Sequence, residues 1–108
     1  MAAKSQIVIC TYRVKAGREP EFLKLLAKHW PALNRLGLVE PEPRMVLRGL
    51  SKDNRNDLIE IFAWNERGYE VGHKMPEVLA IWEPMEQLCE PRGGRPAMEF
   101  PHYETIRP

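Results

Sequence analysis

The chain has 108 residues, 44% of them hydrophobic and 29% charged, which is enough for a single domain with one core. Its net charge of +1 creates no one-signed field, so nucleic acid and anionic membrane are not expected partners. No apolar run approaches the roughly 20 residues that span a bilayer. The short polar start M-A-A-K-S-Q leads into a strand, so no signal peptide is expected and the cytoplasm is the expected location. Cys10 and Cys89 have no metal or redox spacing and are expected as reduced, buried thiols.

Residues 6–15 read as the first strand. Ile7, Val8, Ile9 and Cys10 are apolar on both parities, so both faces are expected to be covered. Gly17 lies in the turn that follows. Residues 19–36 read as the first helix. Pro20 and the acidic pair Glu19 and Glu21 suit its first turn. Phe22, Leu25, Leu26, Leu33 and Leu36 form its buried stripe, and His29 sits within that stripe. Pro31 is expected to kink or restart the helix.

Residues 38–43 form a proline-rich connection. Residues 44–50 and 58–64 are the second and third strands, an antiparallel hairpin around the polar loop S-K-D-N-R-N-D. Placing Leu50 opposite Leu58 pairs Arg48 with Glu60, Val46 with Phe62 and Arg44 with Trp64. Met45, Leu47, Ile59, Ile61 and Ala63 then share an apolar face suited to lie under helices. Val46, Arg48, Glu60, Phe62 and Trp64 share the mixed face, which is expected to meet a second subunit.

Asn65 is positioned to cap a short helical segment, which Gly68 and Gly72 weaken. Pro76 starts the second main helix, and Pro84 is expected to bend it. The loop E-P-R-G-G-R-P is expected to be mobile. Residues 98–107 form the last strand, where Pro101 argues for an edge position or a bulge. The order β-α-β-β-α-β is that of an α+β, ferredoxin-like domain spanning residues 1–108: a four-stranded antiparallel sheet with helices on one face. The apolar residues on both sheet faces predict a homodimer with two sheets packed together.

The carriers of a wider resemblance are a first strand ending V-K-A-G, a helix rich in Phe and Leu, and a third strand ending E-I-F-A-W-N. They continue with His73, nine residues after Trp64, and a following P-E-V. On these features the chain resembles the antibiotic-biosynthesis-monooxygenase-like domains of the dimeric α/β-barrel superfamily. The resemblance implies a pocket between sheet and helices in each subunit of a dimer. It also implies a group that includes cofactor-free monooxygenases of polycyclic aromatic substrates and haem-degrading enzymes. The haem-degrading members rely on an Asn in the first strand and on a Trp and a His in the second helical region. Cys10, His73 and either Trp82 or Glu83 fall at those positions here. Haem degradation is therefore disfavoured, and no cofactor is expected.

His73 is the leading catalytic candidate, as general base or as donor to a phenol or enolate. The alternative is a helix-start residue bonded to a backbone carbonyl. Trp82, Trp30, Tyr69 and His29 are the candidate substrate-binding residues, and each also fits an ordinary core or surface role. His29, His73 and His102 lack metal-ligand spacing, so no metal is expected. The R-G-G-R segment lacks the strand-to-helix context of a phosphate loop. Two functions follow. One is a cofactor-independent monooxygenase-like enzyme acting on a small aromatic or enolisable substrate. The other is a non-catalytic dimeric domain that binds a small ligand.

Overall fold

In the computed structural model the described residues are 5–108, so the first four residues of the polar start lie outside them. Strand β1 spans Gln6–Arg13, helix α1 Glu19–Arg35, strand β2 Val39–Arg48 and strand β3 Asp57–Trp64. Helix α2 covers Glu66–Val71 and runs into a 3-10 turn at Gly72–Lys74. Helix α3 covers Pro76–Gln87, and two short strands follow, β4 at Met98–Glu99 and β5 at His102–Tyr103. The antiparallel sheet has the order β2-β3-β1-β4, with β5 also paired to β1. The expected α+β, ferredoxin-like layout is present.

Helix α1 begins where its sequence allows. Gly17 takes a φ of 79°, Pro20 occupies the first turn, and Arg18 pairs with Glu21 at 2.7 Å. The helix ends at Gly37, whose φ is 74°. Helix α1 runs through Pro31 without a restart, and α3 continues through Pro84. The carbonyls these prolines leave unpaired belong to Ala27 and Ala80, both exposed, where water can satisfy them.

The hairpin register differs from the expected one by two residues. Arg48 lies opposite Leu58, Val46 opposite Glu60, Arg44 opposite Phe62, and Val39 opposite Trp64. The Gly49 N–H bonds to the Asp57 carbonyl at 3.1 Å, so the ladder closes there and Leu50 is left in the exposed loop. A Ser51–Asn54 turn fills that loop. Strand β2 also reaches back to Val39, through the segment read as a connection, with a register shift before Arg44. Its prolines are tolerated because β2 is an edge strand.

A two-residue slip leaves every side chain on its own face, so the face groupings hold. What each face meets is exchanged. Leu58, Glu60, Phe62 and Trp64 are buried under the helices, beside Val8, Cys10 and Tyr12 of β1. They pack against Phe22, Leu26 and Leu33 of α1 and Val78 and Met85 of α3. Glu60, Phe62 and Trp64 are therefore core residues of a single chain, not seam residues. Bulk decides this: the aromatic pair fills the depth under two helices, and Glu60 finds polar partners there. Met45, Leu47, Ile59 and Ile61 occupy the other face with Ile7 and Ile9, and no element of the described residues covers it.

Two further expectations resolve at the C-terminal end. β4 and β5 keep one register along β1 on either side of Pro101, so the proline interrupts an edge strand without a bulge. Paired residues stop at Tyr103. The E-P-R-G-G-R-P loop is tied down: Arg92 bonds the Val14 carbonyl at 3.0 Å and pairs with Asp57 at 2.8 Å. Arg13 pairs with Glu99 at 3.2 Å across the same end of the sheet.

Candidate functional site

Trp64 closes strand β3, and the chain turns at once into α2. Asn65 caps that helix by accepting from the Gly68 N–H at 2.8 Å, and its amide donates to the Gly37 carbonyl at 2.9 Å. Gly68 and Gly72 do more than weaken the segment. A Cβ on Gly68 would collide with the Leu38 carbonyl and the Trp64 indole, and one on Gly72 would stand 2.9 Å from the same indole. Their spacing turns a bare helix backbone onto the Trp64 ring. This lets α2 and the turn after it close over the sheet and leaves a space beneath.

That space is a cavity of about 470 Å³. Its floor is Val8 and Cys10 of β1 with Phe62 and Trp64 of β3. Its helical side is His29 of α1 and Trp82 of α3. Tyr69, Glu70 and His73 border it from α2 and the turn, and Phe100 and His102 from the last strand. The cavity thus brings Trp64, expected at a subunit seam, together with Tyr69, His73 and Trp82. The aromatic rings form a continuous lining, with centroids 5.0 Å apart for Phe62 and Trp64, 6.4 Å for Trp64 and Trp82, and 6.2 Å for Trp82 and Phe100.

One wall is organised by buried polar groups. The Trp82 indole N–H donates to Nε2 of His29 at 2.8 Å. An indole can only donate, so Nε2 must accept and the imidazole proton sits on Nδ1. That Nδ1–H donates to Glu60, at 2.8 Å to Oε1 and 3.1 Å to Oε2. The Tyr12 hydroxyl donates to the same Oε1 at 2.7 Å. Tyr12, His29 and Glu60 are all nearly inaccessible. Burial, followed by the neighbouring Cys10 and the Glu60 carboxylate, pushes the Tyr12 hydroxyl well up, so it stays a donor. Burial and then Glu60 push the Cys10 thiol up as well, so no thiolate nucleophile lines the cavity floor. Burial lowers the affinity of His102 for a proton, and its Nδ1 lies 2.8 Å from the Gln6 side-chain oxygen.

The expected site residues are divided by this geometry. His73, Tyr69, Trp82 and His29 border the cavity, with His73 and Tyr69 exposed at its mouth. His73 has no hydrogen-bond partner among the described residues. Trp30 does not border it. Residue 30 points away from residue 29 on α1, and the Arg44 guanidinium covers its ring at 4.2 Å from the centroid. The expected Arg48–Glu60 pair is absent: Arg48 binds Glu19 at 2.8 Å, and Glu60 binds His29. Among the described residues no group of three His, Cys, Asp or Glu side chains is placed to hold a metal ion, and no helix is long and apolar enough to cross a membrane. Sequence reading missed Phe100 and His102, although both follow from the β4–β5 register. Phe100 falls level with Cys10, on the helix side of β1.

No family profile and no curated protein matches the chain by sequence. Solved structures do match its fold over nearly the full length. SnoaB, a cofactor-independent oxygenase from Streptomyces nogalater solved as a point mutant, matches with a TM-score of 0.74 at 16% identity, covering 98% of this chain and 97% of that one. A conserved protein from Methanosarcina mazei matches with a TM-score of 0.72 at 15% identity over 95% and 94% of the two chains. A Nitrosomonas europaea protein, described as a candidate antibiotic biosynthesis monooxygenase, matches at 0.71 and 14% identity over 100% and 96%. At these identities the likeness is one of backbone architecture, and it agrees with the β-α-β-β-α-β order read from the residues: the chain has the ferredoxin-like α+β fold of the antibiotic-biosynthesis-monooxygenase domains.

Proposed function

We propose that the chain acts as a homodimer whose subunits each bind a small aromatic or enolisable molecule, and that it oxygenates this molecule without a bound cofactor. The observation that carries the reading is the cavity itself: about 470 Å³, floored and walled by aromatic rings, with imidazoles and a phenol at its mouth. Its size and flat walls suit a planar ligand. The fold likeness to a cofactor-independent oxygenase supports the same reading. The uncovered face of Ile7, Ile9, Ile59, Ile61, Met45 and Leu47 supports the dimer, because an apolar surface of that kind is costly to leave in water.

His73 is the proton acceptor in this proposal. Its ring borders the cavity and has no competing partner among the described residues. Removing a proton from a methylene activated by neighbouring aromatic or carbonyl groups leaves the electron pair on the substrate. That carbanion reduces dioxygen. One oxygen atom becomes the product carbonyl and the other leaves as water, so the substrate supplies all the electrons. His73 takes the first proton to solvent, and the aromatic walls hold the anion flat.

Oxygen uptake with enolisable aromatic substrates tests the reading, preceded by native mass spectrometry of protein from its own host to find a bound molecule. His73→Ala should abolish uptake of a substrate that wild type turns over. Unchanged turnover removes His73 from the mechanism. A second reading, a binding module, is favoured by the commitment of the inner polar groups: His29 is saturated by Glu60 and Trp82, and Cys10 stays protonated. A ligand recovered chemically unchanged after incubation with oxygen would select that reading.

A further inference from the structure

Trp82 and Phe100 border the main cavity and also a second one, of about 340 Å³, whose other sides are Glu86, Pro96, Ala97 and Met98. Their rings are stacked, with planes 19° apart and centroids separated by 6.2 Å. These two side chains are therefore the shared wall between the spaces. Both spaces border these two rings, so the length available to a ligand depends on where the rings rest.

Phe100 is exposed and sits on the edge strand next to Pro101, with no polar anchor. Trp82 is different. It is only half-buried, yet its indole N–H is latched to His29, and His29 is oriented by Glu60, which Tyr12 also holds. Such a chain of groups works only in one arrangement. If Glu60 did not accept from Nδ1, the imidazole could carry its proton on Nε2 and turn an N–H toward the indole N–H. The core could be filled at lower cost by apolar side chains in place of His29 and Glu60. What the polar chain adds is a fixed position for one ring of the cavity wall.

We propose that Trp82 is the specificity-determining residue of this cavity, setting the length of the ligand it admits, and that Tyr12, Glu60 and His29 are positioning residues that act through it. This rests on the aromatic ligand class proposed above. With the latch closed, the ligand is confined to the main cavity. With Trp82 removed or unlatched, the second cavity becomes available to the far end of a longer ligand.

A ruler of phenols of increasing length tests this: phenol, 4-phenylphenol and 4-hydroxy-p-terphenyl, measured by equilibrium dialysis against wild type, Trp82→Ala and His29→Leu. The expected result is that both variants bind the terphenyl at least tenfold more tightly than wild type does, while phenol changes by less than threefold. Equal terphenyl affinity in wild type and Trp82→Ala overturns the assignment. Trp82→Phe guards against a folding defect, because it keeps a ring against Phe100 and loses only the latch and some bulk. It should show a smaller gain in the same direction, and no gain in a folded Trp82→Phe and Trp82→Ala pair counts against the proposal. The latch has its own readout in the indole resonance of Trp82, assigned by its absence from Trp82→Phe. It should be shifted downfield by the imidazole in wild type and move upfield in Glu60→Leu, which leaves Nδ1 without that acceptor. A resonance that stays in place overturns the role given to Glu60. If no ruler binds any of the proteins, the ligand class fails and this assignment fails with it. A ruler that binds with an unchanged length preference removes this assignment alone.

Discussion

The Trp82 indole and the His29 imidazole meet N to N at 2.8 Å, and that contact joins the lining of the cavity to the polar interior of the fold. Behind it, His29 and Tyr12 both donate to one buried carboxylate, Glu60. A carboxylate in that position is stabilised only while its donors are present, and the donors are satisfied only while the carboxylate is.

Removing Glu60 should therefore cost more than a surface carboxylate would. Glu60→Ala leaves the Tyr12 hydroxyl and the His29 Nδ1–H buried without an acceptor, an expected loss of about 3 kcal/mol. Tyr12→Phe removes one donor and should cost about 1 kcal/mol. Urea unfolding at pH 7 measures both. A Glu60→Ala variant within ~0.5 kcal/mol of wild type, as for an ordinary surface substitution, would show that the chain is not closed in solution.

Gly68 provides a test in which two effects have opposite signs. Helix propensity alone predicts that Gly68→Ala stabilises α2, by up to about 1 kcal/mol. The added Cβ would instead meet the Leu38 carbonyl and the Trp64 indole. Overpacking of this kind costs roughly 1–3 kcal/mol, and here the carbonyl cannot step aside. Net destabilisation is expected, together with a change in near-ultraviolet circular dichroism as Trp64 moves. A more stable variant would mean that α2 stands further from the sheet.

The two faces of β3 should respond differently to charge. Ile61→Lys places an ammonium on the uncovered face, where single-chain packing is little disturbed. The expected result is a folded protein whose mass in solution falls from the dimer to the 12.6 kDa monomer. Phe62→Lys puts the same charge beneath the helices and should abolish folding. Light scattering and circular dichroism distinguish these outcomes. A wild-type monomer at micromolar concentration would remove the dimer from the proposed function.

Alkaline pH should weaken the fold through its thiols. Burial pushes the Cys89 thiol from 9.0 up to about 11. The folded chain then keeps a proton that the unfolded chain releases. The stabilisation is fully present below about pH 9 and is lost as pH rises through about 11. Cys10, pushed further in the same direction by burial, adds to the effect. Urea midpoints between pH 8 and 11 should fall less steeply in Cys89→Ala than in wild type. Parallel curves would show that Cys89 opens to solvent before it ionises.

Much of this arrangement was legible in the residues. Prolines and glycines punctuate the chain at Gly17, Pro20, Gly37, Pro76 and Pro101, and between them the apolar spacing switches from strand to helix. That was enough to obtain the element order and to place His29 on a buried stripe. Strand parity correctly grouped Glu60 with Phe62 and Trp64, and Ile59 with Ile61, because the side-chain period of a strand survives a two-residue slip. The direction each group faces was not legible, since both faces of β1 and β3 are apolar and parity has no sign. The tertiary structure decided it. Two helices with His29 on their inner side need a polar partner and large rings beneath them, and only the face with Glu60, Phe62 and Trp64 provides both. Closure at Gly49 took Arg48 past Glu60, and the close approach of Gly68 and Gly72 to Trp64 formed the roof of the cavity. These are contacts between residues distant along the chain. Local propensity determined the elements, and packing in three dimensions determined the site.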